Sequence, residues 1–215
     1  MAATRSDPRP LTRGHKKRER TREQLLAAAM QVLAEKGEAL TVSDVVARAE
    51  VSNGTFYNYF TDRDELIDAL AEHSLIRLAA RSAVETVEQD PARRFAIATG
   101  RVLNRAAHDP GWGRAVLRLA DHRRSLDHAV GRYLEEDIAE GFAQQRFALA
   151  PDLITRDLLV GLIVLTIRRI VRGEAPEGHV ESVLARALTT LGLPAAEAAA
   201  LAREAASEGI DPESP

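Results

Sequence analysis

Apolar residues recur at helical spacing along most of this chain. Leu25, Ala29, Val32 and Leu33 share one face of a helix predicted from about Arg20 to Lys36, and Gly37 ends it. Val42, Val45, Val46 and Ala49 form the stripe of a short second helix, with Thr41 as N-cap and Asp44 three residues on. At barely two turns this helix depends on its neighbours for stability. Ser52 caps a third, predicted to end near Tyr59. Asp62 and Glu65 make a capping-box pattern for a fourth, predicted to reach Val87 or Gln89. Beyond Pro91, prolines and glycines divide helical patterns at 92–108, 112–123, 126–146, 152–172, 178–191 and 195–206. No segment alternates with period two. The pattern predicts an all-α protein of about nine or ten helices: an N-terminal three-helix unit followed by a larger helical bundle.

The stretch Val51 to Phe60 holds four aromatic residues where the whole chain is 4% aromatic. On a helical wheel Phe56 and Phe60 point one way, toward the valines and leucines of the first two helices. Gly54 and Asn58 point the other way, flanked by Thr55 with Tyr59 and by Asn53 with Tyr57. Two short helices joined by a tight turn, the second with a polar outer face, describe a helix-turn-helix over about 41–60. Such a second helix enters the DNA major groove, where Asn contacts base edges and Thr or Tyr contacts bases or phosphates. Gly54 costs helix stability and lets the backbone approach closely.

Charge sharpens this picture. Residues 1–22 hold eight basic residues against Asp7 and Glu19, so this segment carries +6 and the remainder −9 within a net charge of −3. A basic arm on an acidic body fits a polyanion partner, and it fits a solvated tail equally well. Residues 1–17 read as a flexible arm with Lys16 and Lys17 in it, and 208–215 as a frayed tail.

The segment from about Arg18 to Glu72, with an "AEKG" turn, "TVSDVVARAEVSNGTFYNYF" and then "TDRDEL", resembles the DNA-binding domain of the TetR family of transcriptional regulators. The resemblance implies a DNA-binding domain over 18–72 and an effector-binding, dimerising domain over 73–207. It implies phosphate contact at Thr41, Tyr59 and Arg63, and a recognition helix carrying Ser52, Asn53, Gly54, Thr55 and Tyr57. It further implies a homodimeric repressor of duplex DNA controlled by a small molecule.

The C-terminal pattern supplies candidates for that second part. Residues 152–172 are apolar around most of the helix and must be covered on several sides. Leu158, Leu162 and Leu165, with Val183 and Ala187 of the next helix, are candidates for the dimer contact, which predicts an inverted-repeat operator. Phe95, Trp112, Phe142 and Phe147 are candidates for a mostly apolar effector pocket, though each ring fits plain core packing better.

No catalytic constellation, phosphate-binding loop or zinc spacing is present, so the reading is of a regulator without enzymatic activity, metal or cofactor. His122 and His128 near Asp121 and Asp127 read as exposed helix positions. The chain has no cysteine, no secretory signal and no membrane-length apolar run, from which a cytoplasmic location is expected. An all-α ligand-binding enzyme and a helical adaptor are the alternatives from other classes.

Overall fold

The computed structural model describes residues 13–71, 73, 90–121 and 134–207. All regular structure among them is helical. Helix α1 (Arg13–Lys36) buries Leu25, Leu26, Ala29, Val32 and Leu33. It begins at Arg13, earlier than the apolar pattern indicates, so Lys16 and Lys17 lie on a helix and not in a flexible arm. The reason is local. Arg, Lys and Glu are good helix formers, no proline lies between Pro10 and the end of α1, and extending an existing helix requires no buried face.

Gly37, with φ of +61°, ends α1 and opens a 3-10 turn, Gly37–Ala39. Helix α2 (Val42–Arg48) follows its N-cap Thr41, and α3 (Asn53–Tyr57) follows Ser52. Between them Glu50 takes the left-handed conformation, φ 54°. Val51 N–H then bonds Val46 C=O and Glu50 N–H bonds Ala47 C=O, the paired closure of a Schellman turn. Helix α4 covers residues 63–71 and buries Leu66, Ile67, Leu70 and Ala71. Its cap is a variant of the expected box. Asp62 accepts from Glu65 N–H at 2.8 Å, while the Glu65 carboxylate accepts from Thr61, one residue earlier, at 2.6 Å. The expected continuation of α4 toward residue 89 lies outside the described residues.

Helix α5 (Pro91–His108) is capped by Asp90. Helix α6 (Pro110–Asp121) starts two residues before the expected 112. Pro110 and Gly111 form its first turn, because proline is favoured there and the Asp109 carboxylate accepts from Trp112 N–H at 2.9 Å. Helix α7 is described over 134–143 and stops short of the expected 146. Helices α8 (Leu153–Val171), α9 (His179–Thr190) and α10 (Ala195–Ser207) follow the expected ranges within about a residue.

Two apolar clusters hold these helices. One joins α1–α4 to Leu103, Trp112, Val116 and Leu119 of α5 and α6, so the first core continues past residue 72. The other is built from α5, α7, α8, α9 and α10 around Phe95, Ile138, Leu159 and Leu188. Leu162, Ile163 and Val180 pack against both.

Candidate nucleic-acid interface

Helix α3 is the best-defined polar surface of the N-terminal unit. Phe56 is fully buried and Phe60 nearly so, their ring centroids 5.6 Å apart, and they seat α3 on α1 and α2. Ser52 Oγ accepts from Thr55 N–H at 3.1 Å and lies 2.9 Å from Thr55 Oγ1. Those two hydroxyls therefore organise the first turn. Asn53, Gly54, Tyr57 and Asn58 are exposed, and among the described residues no hydrogen bond holds the side chains of Asn53, Tyr57 or Asn58. Tyr57 remains 59% exposed although its ring meets the edge of Phe56 at 5.3 Å. An aromatic ring displayed in this way, beside two uncommitted amides, is a surface ready for a polar partner.

Gly54 has a specific place in that surface. A Cβ built there would meet only Ser52 Oγ, at 3.8 Å. Packing within the chain therefore does not require glycine at this exposed position.

Helix α2, packed against α3, opens at Thr41. Thr41 and Asp44 form a complete capping box: Asp44 N–H donates to Thr41 Oγ1 at 3.2 Å, and Thr41 N–H donates to Asp44 Oδ2 at 3.2 Å. Thr41 Oγ1 also donates to Asp44 Oδ2, at 2.8 Å. Lys36 Nζ bonds the same carboxylate at 2.6 Å. That ammonium, and next the Thr41 hydroxyl, hold the Asp44 carboxyl below its ordinary pKa. The Thr41 side chain is thus engaged within the chain. Exposed Ser43 in the same turn was not singled out from sequence; its position two residues after the cap is the signal for it.

Arg63 is likewise engaged. Its Nε donates to Leu40 C=O and its Nη2 to Glu38 C=O, each at 3.0 Å. In the chain without DNA this guanidinium fastens α4 to the connection that leads into α2. From the opposite side Arg118 of α6 donates to the carbonyls of Leu33 and Ala34, the latter at 3.2 Å. A Cβ on Gly37 would lie 2.8 Å from the Arg118 guanidinium carbon. Both contacts tie the α1–α2 connection, and hence the N-terminus of α2, to the helices behind it. At the other end of α2, Gln24 of α1 donates to the C-cap carbonyl of Ala49 at 2.7 Å.

The basic end of α1 flanks α3. Lys16, Lys17, Arg18 and Arg20 are exposed. Arg18 sits 5.8 Å from the ring centre of half-buried Tyr59, and Arg22 sits 5.7 Å from that of Phe60. These cation–π contacts hold the cations beside the end of α3.

The other candidates separate in space. Phe95 and Phe147 are buried in the second core, Trp112 in the first, and Phe142 is 45% exposed. The four rings therefore do not line one pocket; core packing accounts for three of them. His122 and His128 lie outside the described residues. On α8, Leu158 and Leu165 are 50% and 61% exposed, with Ile154 at 78% on the same stripe. Leu162 is half-buried. Val183 and Ala187 turn inward and are 7% and 2% exposed. Ala187 packs in this chain's own core and presents nothing to a second copy. Among the described residues no helix is long and apolar enough to cross a membrane.

Comparison with known proteins agrees with this arrangement. Residues 25–70 match the model for bacterial regulatory proteins of the tetR family, and residues 90–204 match the tetracyclin repressor-like C-terminal domain. The HTH-type transcriptional regulator YvdT of Bacillus subtilis (strain 168) is 44% identical over 54 residues, 25% of this chain and 28% of that protein. The HTH-type transcriptional repressor Rv3405c of Mycobacterium tuberculosis (strain ATCC 25618 / H37Rv) is 33% identical over 96 residues, 43% of this chain and 49% of that one. The chain thus spans less than half the length of these curated relatives. The crystal structure of RolR in complex with resorcinol superposes with a TM-score of 0.65 at 27% identity, covering 91% of this chain and 97% of that one. With one family model on the helix-turn-helix unit and a second across more than half of the chain, this protein belongs to the TetR family of transcriptional regulators.

Proposed function

We propose that this protein is a ligand-responsive repressor that binds an inverted-repeat operator in duplex DNA as a homodimer. The observation that carries the reading is the outer face of α3. Asn53, Gly54, Tyr57 and Asn58 stand exposed over the buried Phe56 and Phe60. In this reading α3 lies in the major groove with Asn53 at a base edge. The N–H groups of Val42 and Ser43, at the start of α2, face phosphate. Lys16, Lys17 and Arg18 neutralise phosphates alongside, and Tyr59 lends its hydroxyl. Ser52 and Thr55 shape the first turn, and Arg63 and Thr41 position α2.

Two copies meet through the apolar stripe of α8, Ile154, Leu158 and Leu165. This sets two α3 helices about one DNA turn apart, roughly 34–36 Å. The effector is a small, mostly apolar molecule; RolR, solved with resorcinol, is a structural neighbour with a ligand of that kind. Control follows from linkage: an effector that prefers a state with misplaced α3 helices lowers DNA affinity by its differential affinity for the two states. Arg118 supports a direct route for this coupling, since it joins α6 to the carbonyls at the end of α1. The repressor named Rv3405c supports the direction of control.

Fluorescence anisotropy on operator and random duplexes tests the assignment. Asn53→Ala should lower operator affinity by about 1–3 kcal/mol and leave random DNA nearly unaffected. Replacing Lys16 and Lys17 by alanine should weaken both duplexes alike and reduce the salt slope by roughly 1 per cation. Equal losses on both duplexes for Asn53→Ala would remove it from base reading.

A further inference from the structure

Several arginines of the helical bundle beyond residue 90 are held in ion pairs. Arg94 meets Asp137 at 3.0 Å and Glu140 at 2.5 Å, and Arg146 meets Asp90 at 2.9 Å and Glu197 at 2.6 Å. Arg168, Arg169 and Arg172 are different. Among the described residues no side-chain hydrogen bond or ion pair engages them. All three line one cleft of about 390 Å³ where the last turns of α8 meet the start of α9, and Leu165 and Val183 contribute to its apolar lining. Glu174 is the one acid in that lining, so the arginines leave a surplus of two positive charges.

Helix-end electrostatics do not explain the arrangement. Cations at a helix C-terminus gain about 0.3–1 kcal/mol from the dipole. Like charges at i,i+3 and i,i+4, as in Arg169–Arg172 and Arg168–Arg172, each return a few tenths. Neither term places the three guanidiniums around a concavity with an apolar wall. Guanidinium groups pair bidentately with carboxylate or phosphate oxygens, and an apolar wall takes up a hydrocarbon tail.

We infer that this cleft binds a small amphipathic anion, its carboxylate or phosphate head on Arg168, Arg169 and Arg172 and its apolar tail over Leu162 and Val183. The alternative occupant is an acidic segment of a second copy. Two observations favour the small molecule. The volume falls in the range of small-ligand sites, about 300–1,000 Å³. The exposed stripe offered to a second copy begins at Ile154, toward the opposite end of α8, and reaches the cleft only at Leu165. The site is remote in sequence and role from the face of α3, so its failure leaves the DNA-binding reading intact.

The test is isothermal titration calorimetry of the full-length protein with octanoate, octyl phosphate and 1-octanol, with sedimentation velocity on the same samples. Octanoate or octyl phosphate should bind once per chain, the tighter of the two identifying the head group, and 1-octanol should not bind at this site. Arg169→Ala/Arg172→Ala should weaken binding at least about tenfold, the loss of one charge-assisted pair. Arg172→Gln, at the exposed C-cap of α8, should weaken it in the same direction with the helix intact. Any of these results would overturn the inference: no binding of either anion, equal binding of 1-octanol, undiminished binding by both variants, or conversion of a dimer to a monomer by the arginine substitutions. The last would assign the arginines to contact between copies. Equal loss of operator affinity by both variants without any anion present would also overturn it, making them phosphate contacts.

Discussion

A methyl group on Gly54 would meet nothing in the chain closer than 3.8 Å, and glycine inside a helix costs roughly 1 kcal/mol relative to alanine. Gly54→Ala should therefore raise unfolding free energy by up to about 1 kcal/mol in chemical denaturation. If α3 lies in the major groove as proposed, the same change should weaken operator binding by about tenfold or more, one step of 1.4 kcal/mol, because the added carbon would then face the groove. A stabilised variant with unchanged operator affinity would show that the glycine is not an approach point. Glu50 reverses that logic. Its left-handed backbone, φ 54°, is costly for a residue with a Cβ, by roughly 1–2 kcal/mol. Glu50→Gly should relieve about 1 kcal/mol of it, read as a higher denaturation midpoint, without moving α3. A lower midpoint would mean that the Glu50 side chain contributes more than its backbone costs.

At the scale of elements, the caps Thr41 and Ser52 made the first boundaries legible, prolines and glycines marked those beyond Pro91, and the structure adds caps at Asp90 and Asp152. Thr41, Ser52, Asp90 and Asp152 each accept a backbone N–H at the start of their helices. The inward turn of Phe56 and Phe60, and the outward turn of Asn53 and Asn58, followed from helical periodicity alone. The start of α1 was not legible, because a polar helix that buries nothing leaves no apolar pattern. The roles of Arg63 and Arg118 were hidden for another reason. Their carbonyl partners lie 23 to 85 residues away, beyond any local pattern. The same distance effect scattered the four aromatic pocket candidates between two cores and the surface. Helix α8 is the intermediate case. Its all-round apolar character correctly asked for cover on several sides, yet Val183 and Ala187 proved to supply that cover from within the chain. The stripe left over carries a prediction. Leu158→Glu with Leu165→Glu should convert a dimer to a folded monomer at micromolar concentration in sedimentation velocity, since both side chains are at least half exposed in the single chain. A dimer that survives both charges would place the contact elsewhere.

At the scale of the molecule, the N-terminal unit and the bundle behind it share a core. Leu25, Phe56 and Leu66 lie in the same cluster as Leu103, Trp112 and Leu119. Arg118 and Arg63 brace the α1–α2 connection from α6 and α4. A displacement of α6 therefore meets the end of α1 directly, and through it the base of α2. This geometry fits a regulator whose ligand state is felt at α3, the helix proposed to read DNA. Selection of bound sequences from a random duplex library by the purified full-length protein tests that claim most directly. Recovery of an inverted repeat with half-sites about one helical turn apart, centre to centre, is the predicted result. No enrichment at low salt, with or without added effector candidates, would contradict the assignment of α3 as a DNA-reading helix.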